Sequence, residues 1–522
     1  MITEDQTAVI EFLSSPGAHA GEAVERIDTH ASIVFLAGQR AWKLKRAVRY
    51  DYLDFSTAAR RKAMCEAEVR INRRTAPMLY LGVVPVTREA DGRLALGGAG
   101  APLDWLVEMV RFDQQGLFDR LAGRQALSID LMRALATEIV RFHAAADVRR
   151  DRGGKAAMAW VIDGNADGFG EQGAGILDPA LCRDVTAASH AELARHGALL
   201  DARRGAGKVR QCHGDLHLRN IVLIDNRPVL FDAIEFNDDI ACIDVLYDAA
   251  FLWMDLWRRD LPRHANTVWN VYLNESGDFD GVPLLPLLLS CRAAVRAKTS
   301  ASAARLMDDG PRKAEMEDLA RRYLTMAADL LRPPAPVLIA IGGLSGSGKS
   351  SVALALAPSI GAVPGALVVR SDEVRKQLAG VSSLQRLGPE GYSAEMSMRV
   401  YDEVADRARR VVHGGHSVIA DAVFARAVDR ARIEEMASRA DVPFLGIWLD
   451  APRNVLVERV SRRERDASDA DAAVVSSQFE QDTGPLTWVR IDASGSIDEV
   501  VQRVKAIVQE RLGQRIVATP LG

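Results

Sequence analysis

The sequence predicts two unlike halves: an α+β half over residues 1–330 and, over 337–522, an α/β half built on a doubly wound parallel sheet. Three observations predict this division. Leu331–Pro336 reads LRPPAP, and prolines this dense neither continue a helix nor sit in a central strand. Beyond that linker, short apolar runs (VLIAIGG, ALVVRSD, HSVIAD, FLGIWLD) alternate with helical stretches, the pattern of parallel strands joined by crossover helices. Ahead of it, a strand-rich stretch gives way to a long helical run.

In chain order, Ala31–Leu36 and Ala41–Val48 flank the turn Ala37-Gly38-Gln39-Arg40 and read as an antiparallel hairpin. A helix is expected over Thr57–Asn72. The strand-like LGVVPVTRE, the turn Asp91-Gly92 and DWLVEMV follow, and from Leu117 to Leu200 the pattern is mostly helical. Cutting at Ala335 is expected to release two folded pieces.

Composition narrows the function classes. Lys+Arg 66 against Asp+Glu 70 gives a net charge of −4, with no basic excess that would announce nucleic acid or an anionic membrane. Five scattered cysteines without a C-x-x-C form neither a disulfide framework nor a zinc site and fit a reducing compartment. MITEDQTAVIEFL has acids where a secretion leader needs basic residues, and the apolar stretch Val282–Val295 is cut by Pro283, Pro286 and Arg292. A cytoplasmic protein is expected.

The C-terminal half carries G-x-x-x-x-G-K-[ST] in full, from Gly343 to Ser350, directly after VLIAIGG and before the helical SSVALALA. Gly343, Ser345, Gly346, Ser347 and Gly348 let successive N–H groups turn onto phosphate oxygens, with Ser351 at the helix opening. Lys349 balances the β/γ-phosphate charge and the Ser350 hydroxyl suits Mg²⁺. ATP with Mg²⁺ is the expected cofactor. Downstream, Ser371-Asp372 opens a helix with Arg375 on the same face. Asp372 is the candidate base for an acceptor hydroxyl and Arg375 the candidate substrate anchor; a plain helix cap explains the pair equally. Asp421 ends HSVIAD as a candidate Mg²⁺ ligand or a simple cap. Arg459, Arg462 and Arg463 fall at i, i+3, i+4, either a solvated basic face or arginines that close on the transferring phosphate. These features resemble P-loop kinases of the zeta-toxin and polynucleotide-kinase type. The resemblance implies transfer of the ATP γ-phosphoryl group to a hydroxyl beneath an arginine-bearing lid, and leaves the acceptor open.

The N-terminal half carries His213-Gly-Asp215-Leu-His217-Leu-Arg-Asn220, and twelve residues later PVLFD delivers Asp232, followed by Glu235. A phosphoryl-transfer site needs a carboxylate near the acceptor hydroxyl and oxygen ligands for a metal close behind it. Asp215 suits the first role; Asn220 and Asp232 suit the second. His213 and His217 lack a third partner at zinc spacing, and Asp244 and Asp248 read as braces for the loop. The segment resembles the aminoglycoside phosphotransferase-like kinases, whose loop reads H-G-D-x-x-x-x-N. The resemblance implies a bilobal, protein-kinase-like fold with ATP between the lobes. It further implies a phosphate-pairing lysine, Lys43 or Lys45 with Lys43 preferred, and a carboxylate partner, Glu66 or Glu68 with Glu68 preferred. Val107–Val110 would connect the lobes and meet adenine through the backbone at Glu108 and Val110, Thr29–Ser32 would cover the phosphates, and His143 would pack. FDAIEF stands where protein kinases have DFG.

End to end, the chain is similar to bacterial fusions of an aminoglycoside phosphotransferase-like half with a P-loop (AAA-type) kinase half. A bifunctional kinase acting on small-molecule hydroxyls is expected. The alternatives are a non-catalytic N-terminal sensor, which would have lost a carboxylate or the lysine, and a polynucleotide 5′-hydroxyl kinase, for which the acidic balance offers no obvious groove.

Overall fold

A computed structural model describes residues 3–50, 52–382, 385–462 and 467–513. Its contacts gather into two compact units. One joins the chain up to Trp160 with Gly197–Leu252; the other joins Val161–His196 with the chain from Trp253 onward. The proline linker is therefore not where the packing divides.

In the first unit, β1 (Val24–Asp28), β2 (Ser32–Ala37), β3 (Arg40–Lys45), β4 (Tyr80–Arg88), β5 (Leu94–Leu96) and β6 (Ala101–Val110) form one antiparallel sheet in the order β1-β2-β3-β6-β4-β5. The expected first hairpin is present, turning at Gly38, whose φ of +51° favours a residue without Cβ. Strand alternation sorts the side chains of β3. Trp42 and Leu44 pack with Val9 and Leu13 of the helix Thr7–Ser14. Lys43 and Lys45 face the other way, toward α1 (Ala58–Asn72), whose Cys65 and Val69 pack with Ala41, Val107 and Met109. Thr57 caps α1, its hydroxyl accepting from the Arg60 amide at 3.3 Å. Further along, His213–Asn220 leads into a hairpin, Ile221–Ile224 with Arg227–Leu230, turned by Asp225 and Asn226 at positive φ.

In the second unit, β7 (Leu338–Gly342), β8 (Leu367–Arg370), β9 (Val418–Asp421), β10 (Phe444–Asp450) and β11 (Val489–Asp492) form a parallel sheet ordered β8-β9-β7-β10-β11. The four apolar runs are its first four strands in sequence; β11, short and half polar, was not anticipated. Buried Ile339, Ile341, Val368, Ile419 and Ile447 centre its core.

The edge strand β8 is closed by a helix from before the proline linker, Pro262–Ser276. Its Asn266, Asn270 and Asn274 recur every fourth residue and so share a face. Asn266 Nδ2 donates to Pro364 O and Ala366 O at 3.0 Å, Asn270 Oδ1 accepts from Val368 N at 2.6 Å, and Asn274 Nδ2 donates to Val368 O at 3.2 Å. Three side chains thus satisfy backbone groups that a neighbouring strand would otherwise pair.

Beside them His416 is buried against the Trp269 ring, centroids 5.4 Å apart, with Nε2 donating to Val363 O at 3.1 Å. Burial pushes its pKa down from 6.5 to about 4. The unfolded chain then binds a proton that the folded one refuses, so stability falls as pH drops from 6.5 toward 4, by about 3 kcal/mol in total. Denaturant midpoints across that window measure the loss, and His416→Gln is expected to flatten the slope; an unchanged slope contradicts the assignment. Among the described residues, no helix is long and apolar enough to cross a membrane, and all five cysteines are free and buried.

Candidate active sites

In the first unit the site is organised around two lysines and three carboxylates. Lys43 Nζ lies 2.8 Å from Glu68 Oε1 and 2.5 Å from Asp232 Oδ1. Lys45 Nζ lies 2.6 Å from Glu68 Oε2 and also pairs with Glu235. Glu68 is fully enclosed; burial alone would raise its pKa, but the two ammonium groups overcome that and hold it at about 2. Burial likewise depresses Lys43, yet Asp232 and Glu68 outweigh it and lift its pKa well above the usual lysine value. Glu66, the alternative partner, is exposed and reaches only toward Lys62, at 3.9 Å. Of the two lysines, Lys45 is 1% exposed and Lys43 16%, so Lys43 is the one open to a ligand.

Asp232 sits at φ +61°, a left-handed conformation costly for a non-glycine residue. Its amide donates to the Tyr80 hydroxyl at 3.0 Å, and the next amide, Ala233 N, donates to Asn72 Oδ1 at 2.8 Å. Lys45 and Glu235 supply the second ion pair, and Tyr80 and Asn72 are supporting residues that motif reading missed. Nothing in their spacing marks them; only the folded sheet brings them together.

The loop residues converge as the spacing implied. Asn220 Nδ2 donates to Asp215 Oδ2 at 3.0 Å, and His217 Nε2 lies 3.3 Å from the same oxygen. Phe231 N donates to Asn220 O at 3.1 Å, tying the loop to the segment that carries Asp232 just after the strand Arg227–Leu230. Asp248 accepts from His213 N at 3.0 Å, Gly214 N at 2.8 Å and His143 Nε2 at 3.0 Å. Asp244 takes a bidentate bond from Arg203, at 2.7 and 2.8 Å. Both acids are braces. His143 bonds Asp248 as well as packing. Thr29–Ser32 closes a tight turn, Thr29 Oγ1 accepting from Ser32 N at 2.9 Å.

Val107–Val110 differs from expectation. These residues end β6, paired with β3 and β4, and Val110 N donates to Leu79 O at 2.8 Å. Glu108 lies opposite Trp42, with its carboxylate 3.9 Å from Arg40. The chain leaves the sheet only at Arg111, because the alternation of inward and outward side chains runs on through Met109. The Val110 amide is therefore committed to the sheet and is not open to a base.

In the second unit the phosphate loop lies where β7 ends. A Cβ on Gly343 would stand 2.4 Å from Leu449 O and one on Gly346 2.6 Å from Leu456 O, and both have positive φ. Ser347 Oγ is buried without a partner among the described residues, while Ser345 N donates to Gln478 Oε1 at 2.9 Å. Gln478 was not foreseen. Gly348 precedes the helix Lys349–Leu356; Lys349 Nζ donates to Leu344 O at 3.1 Å, and Ser351 is exposed. Ser350 Oγ donates to Asp421 Oδ2 at 2.5 Å. Asp421 is buried, which raises its pKa despite the opposing pull of Arg370 and Lys349.

Ser371 does not cap its helix: Ser371–Leu378 begins with it, and Arg370 takes the cap position without a side-chain bond. Asp372 stands in the first turn and makes no hydrogen bond among the described residues. Arg375 is 8% exposed; Nη1 donates to Gly391 O at 2.7 Å and the guanidinium lies 4.9 Å from the Tyr392 ring centre.

Of the candidate lid arginines, the two within the described residues, Arg459 and Arg462, are not brought together. Arg459 donates to Ala493 O at 2.7 Å, Ser494 O at 3.2 Å and Gly495 O at 2.8 Å, so it anchors the loop after β11. Arg462 caps the helix Arg453–Ser461, 80% exposed and 2.9 Å from Glu458. Arg463 lies outside the described residues. Basic side chains in a last helical turn suit the carbonyls and dipole there, which explains the spacing without a phosphate.

Both sites have donors suited to Mg²⁺. In the first, three carboxylates face two ammonium groups, leaving surplus negative charge beside Asn220. In the second, the Ser350 hydroxyl and Asp421 carboxylate are hard oxygen ligands next to the phosphate loop.

Residues 45–281 match the phosphotransferase enzyme family and residues 338–483 match an AAA domain. The uncharacterized protein Rv2004c of Mycobacterium tuberculosis is 30% identical over 488 residues, spanning 90% of this chain and 92% of its own length. Among solved structures, the APS kinase CysC of Mycobacterium tuberculosis, in complex with AMPPNP and APS, is 23% identical with a TM-score of 0.26, covering 34% of this chain and 99% of that one. A choline/ethanolamine kinase family protein from Mesorhizobium loti is 14% identical with a TM-score of 0.39, covering 62% and 93%. The chain belongs to the family of that mycobacterial protein, with a phosphotransferase-family kinase domain followed by a P-loop kinase domain in one polypeptide.

Proposed function

We propose that this is a bifunctional, cytoplasmic Mg²⁺–ATP-dependent kinase whose two halves each phosphorylate the hydroxyl of a small molecule. The observation that carries the reading is the Lys43 ammonium bridging Glu68 and Asp232, with Asp215 and Asn220 bonded in the loop braced beside it. A regulatory pseudokinase has no need of that complete set, so catalysis in both halves is preferred to the sensor alternative.

In the N-terminal half Lys43 holds the α/β-phosphates, Asp215 orients the acceptor hydroxyl and takes its proton, and Asn220 and Asp232 hold the metal. In the C-terminal half the loop amides and Lys349 hold the phosphates, Asp372 serves the acceptor hydroxyl, and Ser350 and Asp421 hold the metal. Magnesium, when bound, neutralises charge on the β- and γ-phosphate oxygens. The partners in this reading are small metabolites, with no membrane; the acidic balance disfavours the polynucleotide alternative.

The test is a metabolite panel scored for ADP formation with the full chain, using Asp215→Asn and Lys349→Ala as blanks. Acceptors are expected to sort into two sets, each silenced by one variant. Acceptor-dependent turnover that survives both substitutions would overturn the assignment.

A further inference from the structure

Arg375 and Lys376 are neighbours on the helix Ser371–Leu378, and both are buried. Their partners differ. Arg375 has only neutral ones: Gly391 O, Ser397 Oγ at 3.4 Å and the Tyr392 ring, with Nε buried and unpartnered among the described residues. No carboxylate lies within salt-bridge distance of it there. Lys376 is 1% exposed, and its ammonium holds both oxygens of Asp469, at 2.7 and 2.8 Å. The same carboxylate accepts from the Leu387 amide at 3.0 Å and from the Tyr392 hydroxyl at 2.7 Å.

These donors form a pocket built for an anion. An ammonium, a hydroxyl and a backbone amide converge on one carboxylate, and the Tyr392 ring that donates the hydroxyl also carries the unpaired guanidinium. Leaving such a cation buried without an anion is expensive. The carboxylate that fills the pocket comes from Asp469, a few residues beyond Arg462 in the stretch expected to act as a lid. The donors themselves follow β8, on and after the helix that carries Asp372.

We propose that Asp469 is an internal stand-in for the acceptor's own anionic group. The acceptor of the C-terminal half is a hydroxyl compound bearing a phosphate, sulfate or carboxylate. That group displaces Asp469 from Lys376, Tyr392 and the Leu387 amide. The inference rests on the kinase reading of this half and adds the class of its acceptor.

The test titrates the full chain with inorganic sulfate while AMPPNP and magnesium occupy the nucleotide sites, so that sulfate does not report on the phosphate loop. Asp469→Asn removes the competing charge and is expected to tighten sulfate binding about tenfold. Adding Lys376→Met should abolish the gain, and Tyr392→Phe, which keeps the ring, should reduce it several-fold. Equal sulfate affinity with and without Asp469→Asn, or a gain that survives Lys376→Met, overturns the proposal. The same titrations record AMPPNP binding, so failure of the kinase reading shows as lost nucleotide binding, separate from the sulfate result.

Discussion

Asp215→Asn is expected to cut turnover in the N-terminal half by about a thousandfold while ATP affinity changes less than about threefold. The side chain keeps its volume and keeps an oxygen to accept from Asn220 Nδ2, now at 3.0 Å. It loses the ability to take a proton. In the proposed arrangement phosphate and metal contacts rest on other residues: Lys43 is paired to Glu68 and Asp232, and the loop backbone is fixed by Asp248 through the His213 and Gly214 amides. Loss of kcat with a preserved nucleotide Kd is therefore the expected signature. Normal turnover would remove Asp215 from the chemistry, and lost ATP binding would mean that it shapes the pocket instead.

The second large effect concerns where the C-terminal kinase begins. Residues 337–522 alone are expected to be insoluble or to unfold at much lower denaturant than a fragment starting at Trp253. The shorter fragment strips Asn266, Asn270 and Asn274 from β8, exposing an edge whose groups are paired at 2.6–3.2 Å. It also removes Asp280, whose carboxylate holds Arg410 at 2.8 Å, and the Phe279 ring that lies 5.2 Å from that guanidinium. Water can pair the bared groups, so each lost bond costs about 0.5–1.5 kcal/mol; the larger losses are the packing removed with the helix and an open strand edge that invites pairing with other chains. Sedimentation and urea melts of the two fragments decide the matter. Equal solubility and equal midpoints would show that the asparagine face is dispensable, restoring the proline linker as a true domain boundary.

The sequence made some of this legible and hid the rest for physical reasons. The phosphate loop was readable because its chemistry demands glycines: the approach of Leu449 O and Leu456 O leaves no room for Cβ at Gly343 and Gly346. The preference for Lys43 and Glu68 came from the family resemblance, since Lys43 and Lys45 share one strand face; the structure pairs Glu68 with both lysines and leaves Glu66 exposed. Lys45 and Glu235 both stand in the motifs, but their pairing was hidden, because a second charged pair looks like any other until the fold brings it beside the first. The asparagines at 266, 270 and 274 carry no mark in the sequence, since nothing local reveals that a strand edge lies opposite. Arg459 misled for the converse reason, having a local use at the loop after β11 that its spacing did not disclose.

The central claim is that one polypeptide holds two furnished Mg²⁺–ATP sites. Calorimetric titration of the full chain with magnesium and a slowly hydrolysed ATP analogue tests it most directly. The expected result is two nucleotides bound per chain, one lost on Lys349→Ala and the other on Lys43→Met. A single site, or two sites indifferent to both substitutions, would contradict it.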